Sequence, residues 1–521
     1  MGRSPHDEDA RVVDAALDAM DAEQLRDLTR ALMSWLDDAT QARLKNEVVD
    51  RAARSAGGWT PSPPSDPRVE EIEAFAATAE GDGQADPSDV DDYLRAGTHA
   101  FLARDYAAAF RIFRALLIPI GNGDLDLGQD ELVDEVLGVD IDACAKQYVV
   151  AMYMTASPKT RARAVCSAIG EVQGLGFFFE PLKELERVAV DPLPELEDFL
   201  VHWRALVEER VAAATKSDWD RREDCWLREV VARTQGPEGL ATLARKSRRA
   251  NDLRAWCRAL VDAGDQQAAR VAYEEAAELV TGRDYARGEF LDGAALAAQE
   301  LGADDLDAVL ERAWRQTPTL SRLRRWLGGC STRNDLTQRA AIALDAAPQG
   351  VARQRSLLHI LCGRPEHAAR LLADAPGLGW SGADHPGHLV FPVFARILCG
   401  GDVPIDLPRS YDDEMVGLAD DNRPRLRTAD IYALLRLADV SAPEDVSVRS
   451  TMILAMRTAA EKRVEGVTGN KRRRYYGHAA SLAVLCAAVE GSAEGKAWLR
   501  ELMDEYRRYP ALKREFAAAG G

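Results

Sequence analysis

No stretch of this sequence approaches the roughly 18 apolar residues that a membrane-spanning helix needs. Runs of alternating β-branched residues are missing too, which argues against sheet. Cysteine is sparse: eight in 521 residues, with no close pair. That spacing gives no disulfide framework and fits reduced, buried thiols in a cytosolic protein. Gly-x-Ser-x-Gly, the Walker A loop, the dinucleotide fingerprint and His-Glu-x-x-His do not occur, so neither an enzyme nor a cofactor is expected. Cations are in deficit. Lys+Arg number 66 against 85 Asp+Glu, a net charge of −19. An acidic chain repels polyanions unless its basic residues are gathered on one face, which counts against a generic nucleic-acid binder. The opening Met1–Asp9 has no apolar core after a basic start, so no signal peptide is expected.

What is abundant is Ala, Leu, Arg and Glu, the better helix formers. Val12, Val13, Ala16, Leu17 and Met20 recur at helical spacing, and Leu25, Leu28, Leu32 and Leu36 follow in the same way. Residues 1–56 therefore predict an N-terminal hairpin of two helices. Four prolines and two glycines in Gly57–Pro67 exclude helix there, so 57–88 reads as a linker with one short helix. From 89 to 400 a helix-turn-helix theme repeats. Residues 401–426 form an acidic, proline-containing insertion, and 427–521 return to helical repeats. The fold class expected is all-α, an irregular α-solenoid with a small N-terminal helical module.

The theme is clearest over Tyr93–Leu117. Gly97 and Ala109 supply small side chains where two helices close, and Tyr93, Phe101, Phe110 and Phe113 fill the seam. This spacing resembles a tetratricopeptide unit, with Tyr93 where that family prefers Trp and Ala100 in place of its usual Tyr. In Leu253–Val280 and Leu357–Ala375, Gly264 and Gly363 turn the corner, and Ala269 and Ala368 follow five residues later. Trp203, Trp219, Trp226, Trp256, Trp314, Trp326 and Trp498 are expected to anchor hairpin to hairpin.

Two segments carry a further likeness: Tyr93–Leu117 with Tyr148–Lys159, and Arg474-Tyr475-Tyr476 with Ala479, Leu482, Trp498, Leu502 and Tyr506–Leu512. Together with Gly379-Trp380-Ser381 and Asp384–Gly387, they resemble the helical-repeat region of bacterial SWIM zinc-finger proteins. The finger itself needs Cys-x-Cys and Cys-x-His as four zinc ligands, and neither occurs. The resemblance thus implies a helical scaffold without the zinc module.

Long insertions in a repeat array often carry its contacts. Gly121–Asp142 crowds Asp124, Asp126, Asp130, Glu131, Asp134 and Glu135 together, and these are the candidate protein-interaction residues. No EF-hand frame fits them. Gly128 falls one position early when counting from Asp124, and Val133 takes the place of the bidentate Glu when counting from Asn122. The segment reads as a solvated loop that sets partner charge.

Lys471, Arg472, Arg473 and Arg474 form the candidate basic patch. They stand before a stripe of Tyr475, Ala479, Leu482, Cys486 and Val489, where a helix dipole disfavours cations. That placement suggests either a partner or an acidic mate within the chain. A second basic run is Arg245–Arg249. Asp384-His385-Pro386-Gly387-His388 could hold a divalent metal, but it reads more simply as a tight turn. Cys144, Cys166, Cys257, Cys362, Cys399 and Cys486 read as core. The expected function is a non-catalytic cytoplasmic scaffold for protein partners, without cofactor or membrane contact. The alternative is a nucleic-acid-associated protein that binds through 471–474.

Overall fold

The computed structural model describes residues 5–55, 58–128, 133–214, 220–280, 284–401 and 425–520, apart from the side chains of 5–11, 38, 39, 134 and 284. It is an all-α, solenoid-like fold: 74% is helix, and the described residues contain no β-strand. The chain divides into two compact units, Met1–Leu240 and Ala241–Gly521.

The first unit opens with three helices rather than two, α1 (Pro5–Asp18), α2 (Ala22–Ser34) and α3 (Asp38–Arg54). Apolar spacing alone runs past the breaks because aspartates set them. Asp21 accepts the Glu23 and Gln24 N–H groups at 2.9 and 2.8 Å, and the Gln24 side chain returns to the Asp21 N–H at 3.0 Å. This is a capping box. Asp37 caps α3 through the Thr40 N–H at 2.9 Å. Next comes α4 (Asp66–Asp82), longer than the short linker helix expected. It buries Val69, Ile72, Ala76 and Ala79 and is tied to the following hairpin by Glu73, which accepts Arg111 Nε–H at 2.9 Å.

The tetratricopeptide-like hairpin is α5 (Pro87–Leu102) with α6 (Tyr106–Asn122). Phe101, Ala109 and Phe113 have no exposed surface. A Cβ on Gly97 would stand 2.8 Å from Phe113 Cε1, so only glycine allows this approach. Tyr93 and Phe110 are half-buried at the edges of the seam. The unit continues through α7 (Val133–Val136), α8 (Ile141–Thr155), α9 (Arg161–Glu171), α10 (Pro181–Val188) and α11 (Leu196–Ala213). It runs into α12 (Arg222–Ser247), which is broken at Gly236 by φ 61°, ψ −154°. Trp203 and Trp226, both buried, meet at 5.5 Å between ring centroids.

The second unit is built from α13 (Ala250–Asp262), α14 (Gln266–Leu279), α15 (Asp284–Glu300), α16 (Leu306–Gln316), α17 (Leu320–Leu327), α18 (Arg333–Ala346), α19 (Ala352–Leu361) and α20 (Pro365–Asp374). Then follow α21 (Gly387–Leu398), α22 (Ile431–Leu437), α23 (Val446–Gly469), α24 (Tyr476–Glu490), α25 (Ala493–Glu505) and α26 (Pro510–Ala518). Its core stacks Trp314 on Trp326 at 5.3 Å and buries Phe391 and Phe394. Of the expected tryptophan anchors, Trp203, Trp226, Trp256, Trp314 and Trp326 are buried and Trp498 is half-buried; Trp219 lies outside the described residues.

One corner recurs. Arg104, Gly264, Gly302 and Gly363 take φ of 68, 76, 62 and 69°. Each N–H bonds the carbonyl three residues back, and the next N–H bonds the carbonyl five back, as in Gly264 to Val261 and Asp265 to Leu260. This is the Schellman motif, which satisfies the last carbonyls of the outgoing helix. Asp105 and Asp265 then cap the incoming helix by accepting the Ala108 and Ala268 N–H groups at 3.1 and 2.9 Å. Corner, cap and buried alanine therefore fall in fixed register, which is the physical content of the repeat.

Candidate functional site

The acidic insertion follows α6 and is anchored more firmly than a solvated loop. Leu125, Leu127, Leu137 and Val139 are buried, while Asp124, Asp126 and Glu135 are exposed. The alternation puts leucines inward and carboxylates outward. Backbone bonds from Ala85 N–H to Asp126 O and from Asp126 N–H to Gly83 O, both 3.0 Å, fix the strip against the end of α4. Asp130 and Glu131 lie outside the described residues, as does the side chain of Asp134.

Where the insertion returns, it forms one wall of a cleft of about 960 Å³. The opposite wall is α3, with Arg43, Glu47, Asp50 and Arg54. Sequence reasoning missed this wall because nothing local to α3 says which face stands off the body. Charges on the cleft are paired internally. Arg54 Nε meets Asp50 at 2.8 Å, and Lys146 Nζ meets Asp142 at 2.6 Å and Glu184 at 2.9 Å. On the floor, Thr98 Oγ1 donates to Gln147 Oε1 at 3.0 Å, and burial pushes the Cys144 thiol up to about 12. A thiol held protonated is no nucleophile.

Asp142 does a second job. Its Oδ1 accepts the Phe177 N–H at 2.9 Å. Trp226 Nε1–H donates to Phe178 O at 2.6 Å, and Glu229 accepts the Leu182 and Lys183 N–H groups at 3.1 and 2.8 Å. Burial raises the Glu229 carboxyl to about 7, against the lowering effect of those two amides. Phe178 points inward, while Phe177 and Phe179 are 71% and 62% exposed with near-parallel rings. Two large aromatics held in water on a braced loop form an apolar patch of the kind used for contact. The triple phenylalanine is plain in the sequence, but its outward pair is set by the Trp226 and Asp142 anchors far along the chain.

The Asp384–His388 turn does not bring ligands together. His385 is buried; its Nε2 lies 2.9 Å from Pro376 O and its Nδ1 accepts the Gly387 N–H at 3.0 Å. A carbonyl can only accept, so Nε2 carries the proton and both ring nitrogens are spent on backbone. Arg353, also buried, locks the turn by donating to His385 O at 2.9 Å and Gly382 O at 2.7 Å. Among the described residues, no group of three or more His, Cys, Asp or Glu is placed to hold a metal ion. Cys144, Cys166, Cys257 and Cys486 are buried, the other four thiols partly so, and burial raises the pKa of all eight.

The two basic runs differ. Arg245 pairs with Glu275 at 2.6 Å and stacks over Trp256 at 4.8 Å, so the first arginine of that run is engaged within the chain. Lys471, Arg472, Arg473 and Arg474 are all exposed at the corner between α23 and α24, with Lys471 at φ 54°. Tyr475 stands outside α24 and is only half-buried, between the guanidinium carbons of Arg474 at 4.7 Å and Arg463 at 5.1 Å from its ring centre. The stripe Ala479, Leu482 and Cys486 below it is buried. In comparisons with known proteins, the chain matches no protein-family model, and no curated protein is significantly similar to it.

Proposed function

We propose that this chain is a non-catalytic α-solenoid scaffold of the bacterial cytoplasm that binds other proteins through the cleft of its first unit and the acidic insertion that walls it. The observation that carries this reading is the braced, exposed Phe177–Phe179 pair, whose Phe177 N–H is held by Asp142, a residue that lines the cleft. Exposed aromatics supply contact energy, and the surrounding carboxylates set partner charge and encounter rate. Paired charges and protonated thiols leave the cleft without an activated nucleophile, which favours binding over chemistry. The resemblance to the helical-repeat region of SWIM zinc-finger proteins supports the scaffold reading. The cytoplasmic assignment rests on the reduced, scattered cysteines. Among the described residues, no helix is long and apolar enough to cross a membrane.

The test is a pull-down from bacterial lysate with the full chain, against a Phe177→Ala, Phe179→Ala double variant. One stoichiometric protein held by the wild type and lost from the variant is the expected result. Equal capture by both would refute the assignment of the contact to this pair. With a partner in hand, reversing Asp124, Asp126 and Glu135 to Lys is expected to weaken association and flatten its salt dependence.

A further inference from the structure

On a chain of net charge −19, the C-terminal end of the second unit runs against the average. Residues 471–474 and 506–514 together hold eight cations and no carboxylate. The two stretches lie at one end of the unit. Tyr506 feels the charge of Glu465, one turn before the end of α23, and Glu515 in α26 lies 3.0 Å from where a Cβ on Gly477 would be, in the first turn of α24. Glu465, Glu505 and Glu515 mark the margins of the surface. Elsewhere arginines find carboxylates, as in Arg104–Asp191 at 2.8 Å and Arg322–Asp292 at 2.7 Å. Lys471, Arg472, Arg473, Arg474, Arg507 and Arg508 are exposed, and among the described residues none has an ion-pair partner.

Two tyrosines hold guanidiniums in place: Arg474 lies over Tyr475, and Arg508 over Tyr509 at 5.4 Å. Stacking fixes the plane of a guanidinium and leaves its N–H edge for a planar or tetrahedral oxyanion. Behind Tyr475, Arg463 is buried with its Nη1 on Gly377 O at 3.2 Å and, among the described residues, no ion-pair partner, so its positive charge adds to this end. The N-terminus of α24 adds the positive end of its dipole.

The geometry points to this surface as a docking site for the phosphate backbone of a nucleic acid, bound without base reading. Lys471–Arg474, Arg507 and Arg508 sit on corners, and only Lys513 and Arg514 lie on an α-helix, the short α26; arginine predominates, as phosphate recognition favours. This goes beyond the protein-binding reading and uses a different unit, so either can fail alone.

The experiment is fluorescence anisotropy on the full chain with a mixed-sequence 20-nucleotide single strand and its duplex, from 50 to 200 mM salt. Six phosphate contacts give a slope of log affinity on log salt of roughly −4.2 for the single strand and −5.4 for the duplex, about a 300- to 1,800-fold loss over that interval. Arg472→Gln, Arg473→Gln, Arg507→Gln removes no ion pair, so its melting curve is expected to match wild type. Its slope is expected to fall by about 2 to 3 and its affinity at 50 mM by more than tenfold. Arg245→Gln, at an arginine already paired with Glu275, is expected to bind as wild type. No binding to either probe at 50 mM overturns the proposal, and so does a triple variant that binds like wild type. Capture of poly-glutamate or anionic vesicles with no capture of nucleic acid also overturns it.

Discussion

Ala109 has no exposed surface and sits in the hairpin where Gly97 meets Phe113. Ala109→Leu is expected to destabilise the protein by about 1–3 kcal/mol through overpacking, measured by denaturant unfolding. This contact was legible in the sequence because small residues at tetratricopeptide spacing have one packing explanation. His385 was not, because the groups that spend its two nitrogens are backbone atoms of Pro376 and Gly387, which any sequence offers. His478 makes a separate, testable case. Burial beside Arg463 and His388 lowers its pKa to about 3, and its buried Nδ1 has no hydrogen-bond partner among the described residues. The unfolded chain then binds the proton first, so this contribution is intact above about pH 6.5 and is lost as pH falls towards 3, by up to about 1.4 kcal/mol per pH unit. Glu229, raised to about 7, has the opposite slope, losing stability as pH rises from its unfolded value. The comparison is therefore between variants: His478→Phe is expected to melt less acid-sensitively than wild type between pH 5 and 6.5. Parallel melting-against-pH curves would show that His478 is not held neutral.

At the scale of the helix pair, the corner decides register. Nothing lies within 4 Å of a Cβ built on Gly363, so Gly363→Ala isolates the backbone cost of φ 69°. That cost is about 1–2 kcal/mol, read as a lower unfolding midpoint with unchanged slope. A silent substitution would mean that the corner relaxes. Gly264 and Gly363 were legible as corners because glycine tolerates the left-handed region. Arg104 was not, since it takes the same conformation as an arginine held by Asp191 at 2.8 Å. The breaks at Asp21 and Asp37 were in the sequence as cap signals, but the leucine period running through them was the louder one. The acidic insertion shows the converse. Its carboxylates stood out in composition, whereas Leu125 and Leu127, which tie it down, gave no periodic signal in so short a strip.

Across the whole molecule, helix content and repeat character followed from composition and spacing, while the division after Leu240 did not. It falls inside α12, four residues past the break at Gly236. The two compact units are expected to unfold in more than one step, with a van't Hoff enthalpy below the calorimetric one in scanning calorimetry. A single two-state transition would contradict this. The eight thiols have a practical consequence. Each is shifted toward its protonated form, so at neutral pH the native chain offers alkylating reagents very little thiolate. A new cysteine among exposed cations, as in Arg473→Cys, would be the fastest-reacting sulfur in the protein. A single dye or spin label could then be placed at that end without removing any native cysteine.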